Sequence, residues 1–228
     1  MTVFRYALKR TIKNPLDVLM ILVLPIAIVF ISEETWIPIP MGLQYYALLL
    51  LFLSSKICKI MMIDRENRIT LRIAASPISH FRYLFENLMA FVLILTFINI
   101  VVVVIGVLNY GVDAINPLRI LSLYSAFSVA AIGMAIAWFA MFKHTETAYS
   151  ILGGLYTAMA MMGGVFWPYE IMPDLIIRFV RILPTYWFSL GLRQISFIEY
   201  EGDFLVTIGV LLLFGLTFIT IGSKKNLS

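Results

Sequence analysis

The chain has 228 residues, of which 61% are hydrophobic and only 13% are charged, and its mean hydropathy is +0.96. These values exclude a soluble globular domain and indicate an integral membrane protein. A formal net charge of +4 would also suit a nucleic-acid binder. In a membrane protein, however, the distribution of charge sets orientation, so we predict no nucleic-acid partner. Cys58 is the single cysteine, which excludes an intrachain disulfide.

The first 14 residues alternate basic and apolar side chains. Arg5, Lys9, Arg10 and Lys13 lie among aliphatic and aromatic residues. At about 100° per residue this pattern separates a basic side from an apolar side, so residues 1–14 are predicted to form an amphipathic helix in the membrane interface. An ordinary positive flank that only sets topology is the alternative. We find no small-residue cleavage site after this basic start, so the first span is expected to be retained.

Six apolar segments follow, each close to the roughly 20 residues that a membrane span requires. We therefore predict an all-α polytopic membrane protein with six transmembrane helices, forming a single transmembrane domain over residues 1–228. The predicted spans are residues 16–31, 41–62, 84–108, 118–142, 147–166 and 204–222.

An even number of spans places both termini on the same side of the membrane. With the basic amino end inside, the inner side carries thirteen Lys and Arg against five Asp and Glu, and the outer side four against eight. Cytoplasmic loops carry an excess of Lys and Arg. We therefore predict a multi-pass protein of the plasma membrane with both termini in the cytoplasm.

Residues 63–83 form the one long, densely charged interruption of the apolar chain. Lys56 and Lys59 precede it and can extend towards the cytoplasm, so the second helix is predicted to project beyond the bilayer without a break until Pro77. We interpret the segment as a cytoplasmic helix and turn that docks a partner; a solvated loop is the alternative. The candidate docking residues are Asp64, Arg65, Glu66, Arg68, Arg72 and Pro77.

Residues 166–200 mix prolines, aromatic residues and scattered charges. This composition predicts short broken helices at the outer interface, arranged as a re-entrant or interfacial hairpin before the last span. A seventh span is the rival interpretation, but Arg178, Arg181 and Arg193 make it costly. The candidate outer-gate residues are Phe166, Trp167, Pro168, Tyr169, Glu170 and Pro173.

Catalytic and energy-coupling motifs are missing from the sequence. There is no G-x-x-x-x-G-K-[ST] phosphate-binding loop and no H-E-x-x-H. No carboxylate falls at the middle of a predicted span, which disfavours a proton-driven carrier. The polar candidates inside spans are Asn99 and the stripe Ser122, Ser125 and Ser128. Such a stripe is more often helix packing than the chemistry of an intramembrane enzyme.

The charged segment resembles a pattern of the ATP-binding-cassette type 2 permeases, roughly G-T-x-x-R-L-x-x-x-P-x-S after acidic residues. Here Asp64 to Ser79 reads DRENRITLRIAASPIS, with Ile69 at the usual glycine position and a Thr70 to Pro77 interval about one residue short. The family's hairpin pattern, G-x-x-x-P-x-x-x-M-P followed by P-x-x-Y, is similar to Gly164, Pro168, Met172-Pro173, Pro184 and Tyr186.

The resemblance spans the whole chain and implies one six-span subunit of an exporter. Its partners would be a separate cytosolic ATPase subunit, a second identical or related permease subunit, and membrane lipid. No cofactor is expected in this chain, because the partner would bind ATP and Mg. The charged residues from Asp64 to Arg72 would be the coupling helix.

Cargo would be an amphipathic or hydrophobic peptide, antimicrobial, drug or lipid-like compound. The alternative function is a scaffold or sensor that recruits a cytosolic partner without transport.

Overall fold

A computed structural model describes residues 2–13, 15–32, 37–69, 79–112, 116–168, 171–197 and 203–225. Over these residues the regular elements are helices, as the apolar composition predicted. In chain order they are α1 (Thr2–Lys13), α2 (Pro15–Val29), α3 (Met41–Glu66), α4 (His80–Tyr110), α5 (Pro117–Met141), α6 (Thr145–Met162), α7 (Asp174–Val180), α8 (Pro184–Ser196) and α9 (Phe204–Lys225).

Four of the described helices, α3, α4, α5 and α9, are long and apolar enough to cross a membrane. Two bent pairs raise the number to six if each pair counts as one span: α1 with α2, bent by 84°, and α7 with α8, bent by 102°. Helix α6, which corresponds to the predicted span 147–166, has 18 residues and ends at Met162. Its polar first turn and its glycines leave it less apolar than the four long helices.

Helix α2 is not the regular span that residues 16–31 predicted. It consists of Pro15–Val18, a π-helical stretch Leu19–Val23 and a final piece Leu24–Val29. Pro25 has no N–H to donate within the helix, and a wider π turn is a common way to accommodate such a missing hydrogen bond. Together with the 84° bend after α1, this places α1 across the direction of α2.

Helix α5 is the centre of the bundle. It packs most extensively against α9 and also against α3, α4 and α8. Tyr124, Phe127 and Ala131 on α5 are fully buried, together with Leu50 on α3 and Phe91 on α4. By contrast, α4 and α9 leave much of their apolar surface exposed.

A chain of buried polar groups connects three helices, α3, α4 and α5. The Tyr46 hydroxyl donates to Asn99 Oδ1 at 2.8 Å, and Asn99 Nδ2 donates to Ser128 Oγ at 3.0 Å. Ser128 Oγ in turn donates to the Tyr124 carbonyl at 2.8 Å. Polar side chains in hydrocarbon need such partners. This arrangement fits the packing role predicted for the serine stripe at Ser128, and it gives Asn99 partners on both neighbouring helices.

The ends of the helices contact one another at two opposite ends of the bundle. The end of α3 lies against the start of α4, the end of α5 and the start of α6, and we call this the junction end of the bundle. At the opposite end, the Tyr110 hydroxyl on α4 donates to the Val29 carbonyl of α2 at 2.7 Å. Gly222 on α9 lies beside Ile136 and Ala137 near the end of α5. Helix α1 and the end of α9 therefore both lie at the junction end.

The prediction that the second helix continues to Pro77 is wrong. Helix α3 ends at Glu66, and Arg68 has a φ of 55° in the left-handed region, which interrupts a right-handed helix. Asn67 precedes it and donates its N–H to the Ile63 carbonyl at 2.9 Å. Asparagine suits the end of a helix because it leaves the helical conformation at little cost. Residues 70–78, which include Arg72 and Pro77, lie outside the described residues.

Candidate coupling site at the end of helix α3

Asp64 is a carboxylate that α3 buries at the junction end, with 4% of its surface exposed. Its Oδ1 accepts a hydrogen bond from Arg10 Nη1 at 2.6 Å, and its Oδ2 accepts one from the Tyr83 hydroxyl at 2.8 Å. A buried charge is tolerated only when it is paired and hydrogen-bonded. Asp64 thus ties α1 and α4 to the end of α3.

Glu86 makes a second connection between α1 and α4. Its Oε2 accepts from the backbone N–H of Phe4 at 3.0 Å, and its Oε1 accepts from Arg82 Nε at 2.8 Å. The N–H of Phe4 is one of the first-turn donors that a helix cannot satisfy internally, and a negative charge is favourable at that end. Glu86 therefore helps to fix the start of α1 against α4.

Arg65 connects α3 to the end of α5. Its Nη2 donates to the Phe139 carbonyl at 2.9 Å and also to the Phe142 carbonyl. The last carbonyls of a helix lack internal donors, and a cation is favourable beside them. Arg65 thereby caps α5 from the neighbouring helix.

Glu66 connects α3 to the start of α6. Its carboxylate accepts from Thr145 Oγ1 at 2.5 Å and from the Thr145 N–H at 3.3 Å. Lys59, two turns earlier on α3, pairs with Glu146 at 2.9 Å. The anion lies at the amino end of α6, where the helix dipole favours it. Three consecutive residues, Asp64 to Glu66, thus contact four other helices.

We call Asp64, Arg65 and Glu66, with their partners Arg10, Tyr83 and Thr145, the α3 junction. These hydrogen bonds, several of them charge-assisted, connect the end of α3 to α1, α4, α5 and α6.

The candidate docking residues have different surroundings. Asp64, Arg65 and Glu66 use their polar groups within the chain, whereas Arg68 is exposed. Arg72 and Pro77 lie outside the described residues, and contact with a partner stays a prediction. Sequence reasoning did not find Tyr83, Glu86 or Thr145 as partners. The Arg82–Glu86 spacing of four was an available signal, because such residues are neighbours on a helix.

The candidate outer-gate residues lie at the opposite end of the bundle. Phe166 packs edge-on against Tyr45, with ring centroids 5.3 Å apart. The preceding carbonyl, of Val165, accepts from Gln44 Nε2 at 2.6 Å. Trp167 and Pro168 are half-buried, while Pro173 is exposed just before α7. Tyr169 and Glu170 lie outside the described residues. The gate role of this group stays a prediction.

The end of helix α6 packs closely against α8, the second of the two short helices. Gly163 follows α6, and a Cβ at this position would lie 2.0 Å from Thr185 Oγ1 on α8. Thr185 Oγ1 donates to the Met159 carbonyl at 2.7 Å. The close approach therefore requires glycine at position 163.

Comparison with known proteins identifies the family. The model of the family described as "ABC-2 family transporter protein" matches residues 39–224. A Bacillus subtilis (strain 168) protein, described as "Putative transport permease YvfS", is 35% identical over 69 residues. The aligned part covers 30% of this chain and 27% of that relative, so it spans about a quarter of the relative's length. Because the family match covers most of the chain, including helix α3 and the gate region, this protein belongs to the ABC-2 family of transporter permeases.

Proposed function

We propose that the chain is the permease subunit of an ATP-driven exporter. The observation that carries the proposal is the family match over residues 39–224. The sequence has no phosphate-binding loop, which is consistent with ATP and Mg being bound by a separate cytosolic ATPase. A second permease subunit would complete the pathway, as the family resemblance implies. We place the complex in the plasma membrane, with the junction end facing the cytoplasm.

The ATPase docks in this proposal on the cytoplasmic coupling segment, residues 63–83, and mainly on its part after Glu66. Arg68 is exposed there, two residues after Glu66, the last of three residues whose side chains are hydrogen-bonded to other helices. Movement of the ATPase would displace the segment and act through the α3 junction on α1, α4, α5 and α6. This displacement would shift the packed helices and so open or close the gap between two permease subunits.

The cargo in this proposal is amphipathic or hydrophobic, such as a peptide, an antimicrobial compound, a drug or a lipid-like molecule. Aromatic side chains line the gate region, among them Phe166 and Trp167, and the buried surfaces of the bundle are mostly aliphatic and aromatic. Outward transport follows the family resemblance.

Affinity purification of the full-length chain from its native membranes tests the proposal. We expect an ABC ATPase subunit to co-purify and its ATP hydrolysis to rise when cargo is added. The double change Arg68→Glu and Arg72→Glu should weaken this association, whereas Lys224→Glu should leave it unchanged. Purification without an ATPase would overturn the transporter proposal in favour of a scaffold or sensor. Equal losses in both variants would overturn the docking assignment.

A further inference from the structure

A large cavity opens at the junction end between α1, the start of α2 and α3. Its volume is about 830 Å³, which is within the range of small-molecule sites. The walls are of two kinds. The cations Lys9, Arg10, Lys13 and Lys56 line the cavity together with Asp17, and so do the aliphatic side chains Ile21, Ile57, Ile60 and Ile69.

Two of the four cations are neutralised by partners within the protein. Arg10 pairs with Asp64 at 2.6 Å, and Lys56 pairs with Asp17 at 2.9 Å. Lys9 and Lys13 are exposed and make no ion pair with another described residue. They are four residues apart on α1, so both face the cavity from one side of the helix. The rim therefore keeps two positive charges that a negatively charged ligand would satisfy.

A second, smaller cavity adjoins the first at Thr11 and Ile21 and has a volume of about 280 Å³. Its lining is almost entirely apolar and includes Leu8 on α1, Leu22 on α2, and Leu93 and Phe97 on α4. A free phosphate ion would need only the basic rim, since it gains nothing from apolar walls. The combination of a basic rim with two apolar surfaces instead suits an amphiphile.

We propose that these cavities bind one anionic phospholipid. Its phosphate lies between Lys9 and Lys13, one acyl chain lies against Ile21 and Ile60, and the other enters the smaller cavity. The bend of 84° between α1 and α2 is consistent with α1 lying at headgroup depth, where cations attract anionic lipid. Because Arg10 lines the same cavity and pairs with Asp64, the bound lipid would also stabilise the contact between α1 and α3. The proposal does not depend on the direction of transport or on the cargo.

Native mass spectrometry of the purified full-length chain tests the site. The chain is delipidated in detergent and titrated with phosphatidylglycerol or with phosphatidylcholine of the same acyl chains. We expect a single phosphatidylglycerol to bind preferentially. The double change Lys9→Gln and Lys13→Gln should weaken its binding by roughly thirtyfold, because each Lys facing an anionic headgroup contributes about fivefold. Circular dichroism and the gel-filtration profile show whether each variant is folded.

The matched control is Arg5→Gln with Lys143→Gln, which removes two charges outside both cavities. We expect this control to bind phosphatidylglycerol as the unchanged chain does. Equal weakening in both double variants would show only diffuse attraction and overturn the site. Displacement of the lipid by an equal concentration of glycerol phosphate would overturn the role of the apolar walls. Equal binding of phosphatidylcholine would overturn the role of the lysines.

Discussion

Asp64 is the residue on which the α3 junction depends most. It is buried with a guanidinium on one oxygen and a phenol on the other. Removing the carboxylate leaves the Arg10 charge and the Tyr83 hydroxyl without their acceptor, and such a loss costs more than the bond contributes. Its effect is therefore structural, whatever its relation to a partner protein.

We predict that Asp64→Ala lowers the free energy of unfolding by about 3 kcal/mol, and that Tyr83→Phe lowers it by about 1.5 kcal/mol. In the Asp64→Ala background the Tyr83→Phe change should cost less than in the unchanged chain, because the Asp64 carboxylate that accepts from the hydroxyl is already gone. Denaturant unfolding of the four proteins in one detergent measures this cycle. Additive losses would show that the Tyr83 hydroxyl is not coupled to Asp64.

At the residue scale the sequence indicated where charges cluster but not which groups pair. Asp64, Arg65 and Glu66 were found because they interrupt an apolar chain. Their partners Arg10, Tyr83 and Thr145 lie 54, 19 and 79 residues away along the sequence from the groups they bind. Carbonyl acceptors such as that of Phe139 leave no signal in side-chain patterns. Pairing of this kind depends on helix packing, which periodicity alone does not define.

Helices α5 and α9 pack against each other more extensively than any other pair of described elements. A Cβ at Gly133 on α5 would lie 2.5 Å from the Gly215 carbonyl oxygen on α9. A Cβ at Gly215 would lie 2.7 Å from Val129. Membrane helices gain stability from such close backbone approach, because lipid provides no hydrophobic force between them. The two glycines therefore determine the distance between α5 and α9.

We predict that Gly133→Val destabilises the protein by about 2 kcal/mol, since the added side chain forces the two backbones apart. The matched control is Gly209→Ala on α9, where an added Cβ would meet no atom within 4 Å. Thermal unfolding in detergent compares the two variants. A Gly133→Val variant as stable as the control would show that α5 and α9 are not in backbone contact.

Element boundaries were predictable where apolar composition alone decides them. The segments 41–62, 84–108, 118–142 and 204–222 correspond closely to α3, α4, α5 and α9. Prediction failed where local geometry intervenes: the π-helical stretch of α2 before Pro25, the end of α6 at Met162, and the break at Asn67 and Arg68. A left-handed residue such as Arg68 has no periodic signature, so the sequence favoured a helix to Pro77.

At the scale of the whole molecule, the two ends of the bundle differ in charge. The junction end carries most of the described basic residues, including Arg10, Lys59, Arg65 and Arg82. The gate region at the other end is aromatic, with Phe166 against Tyr45. A polarity of this kind is what the positive-inside rule predicts for a protein whose junction end faces the cytoplasm. In the proposed exporter, the junction end would bind the ATPase and the aromatic end would face the side on which cargo is released.

Cross-linking tests most directly whether the segment after α3 docks an ATPase. Cys58 is the single cysteine of the chain and is buried, so Arg68→Cys introduces one accessible thiol. Arg181→Cys, an exposed position after α7, serves as the control on the predicted outer side. With a short thiol-to-amine reagent in native membranes, we predict a cross-link from position 68 to the ATPase subunit and none from position 181. No cross-link from position 68, or equal cross-links from both, would contradict the account.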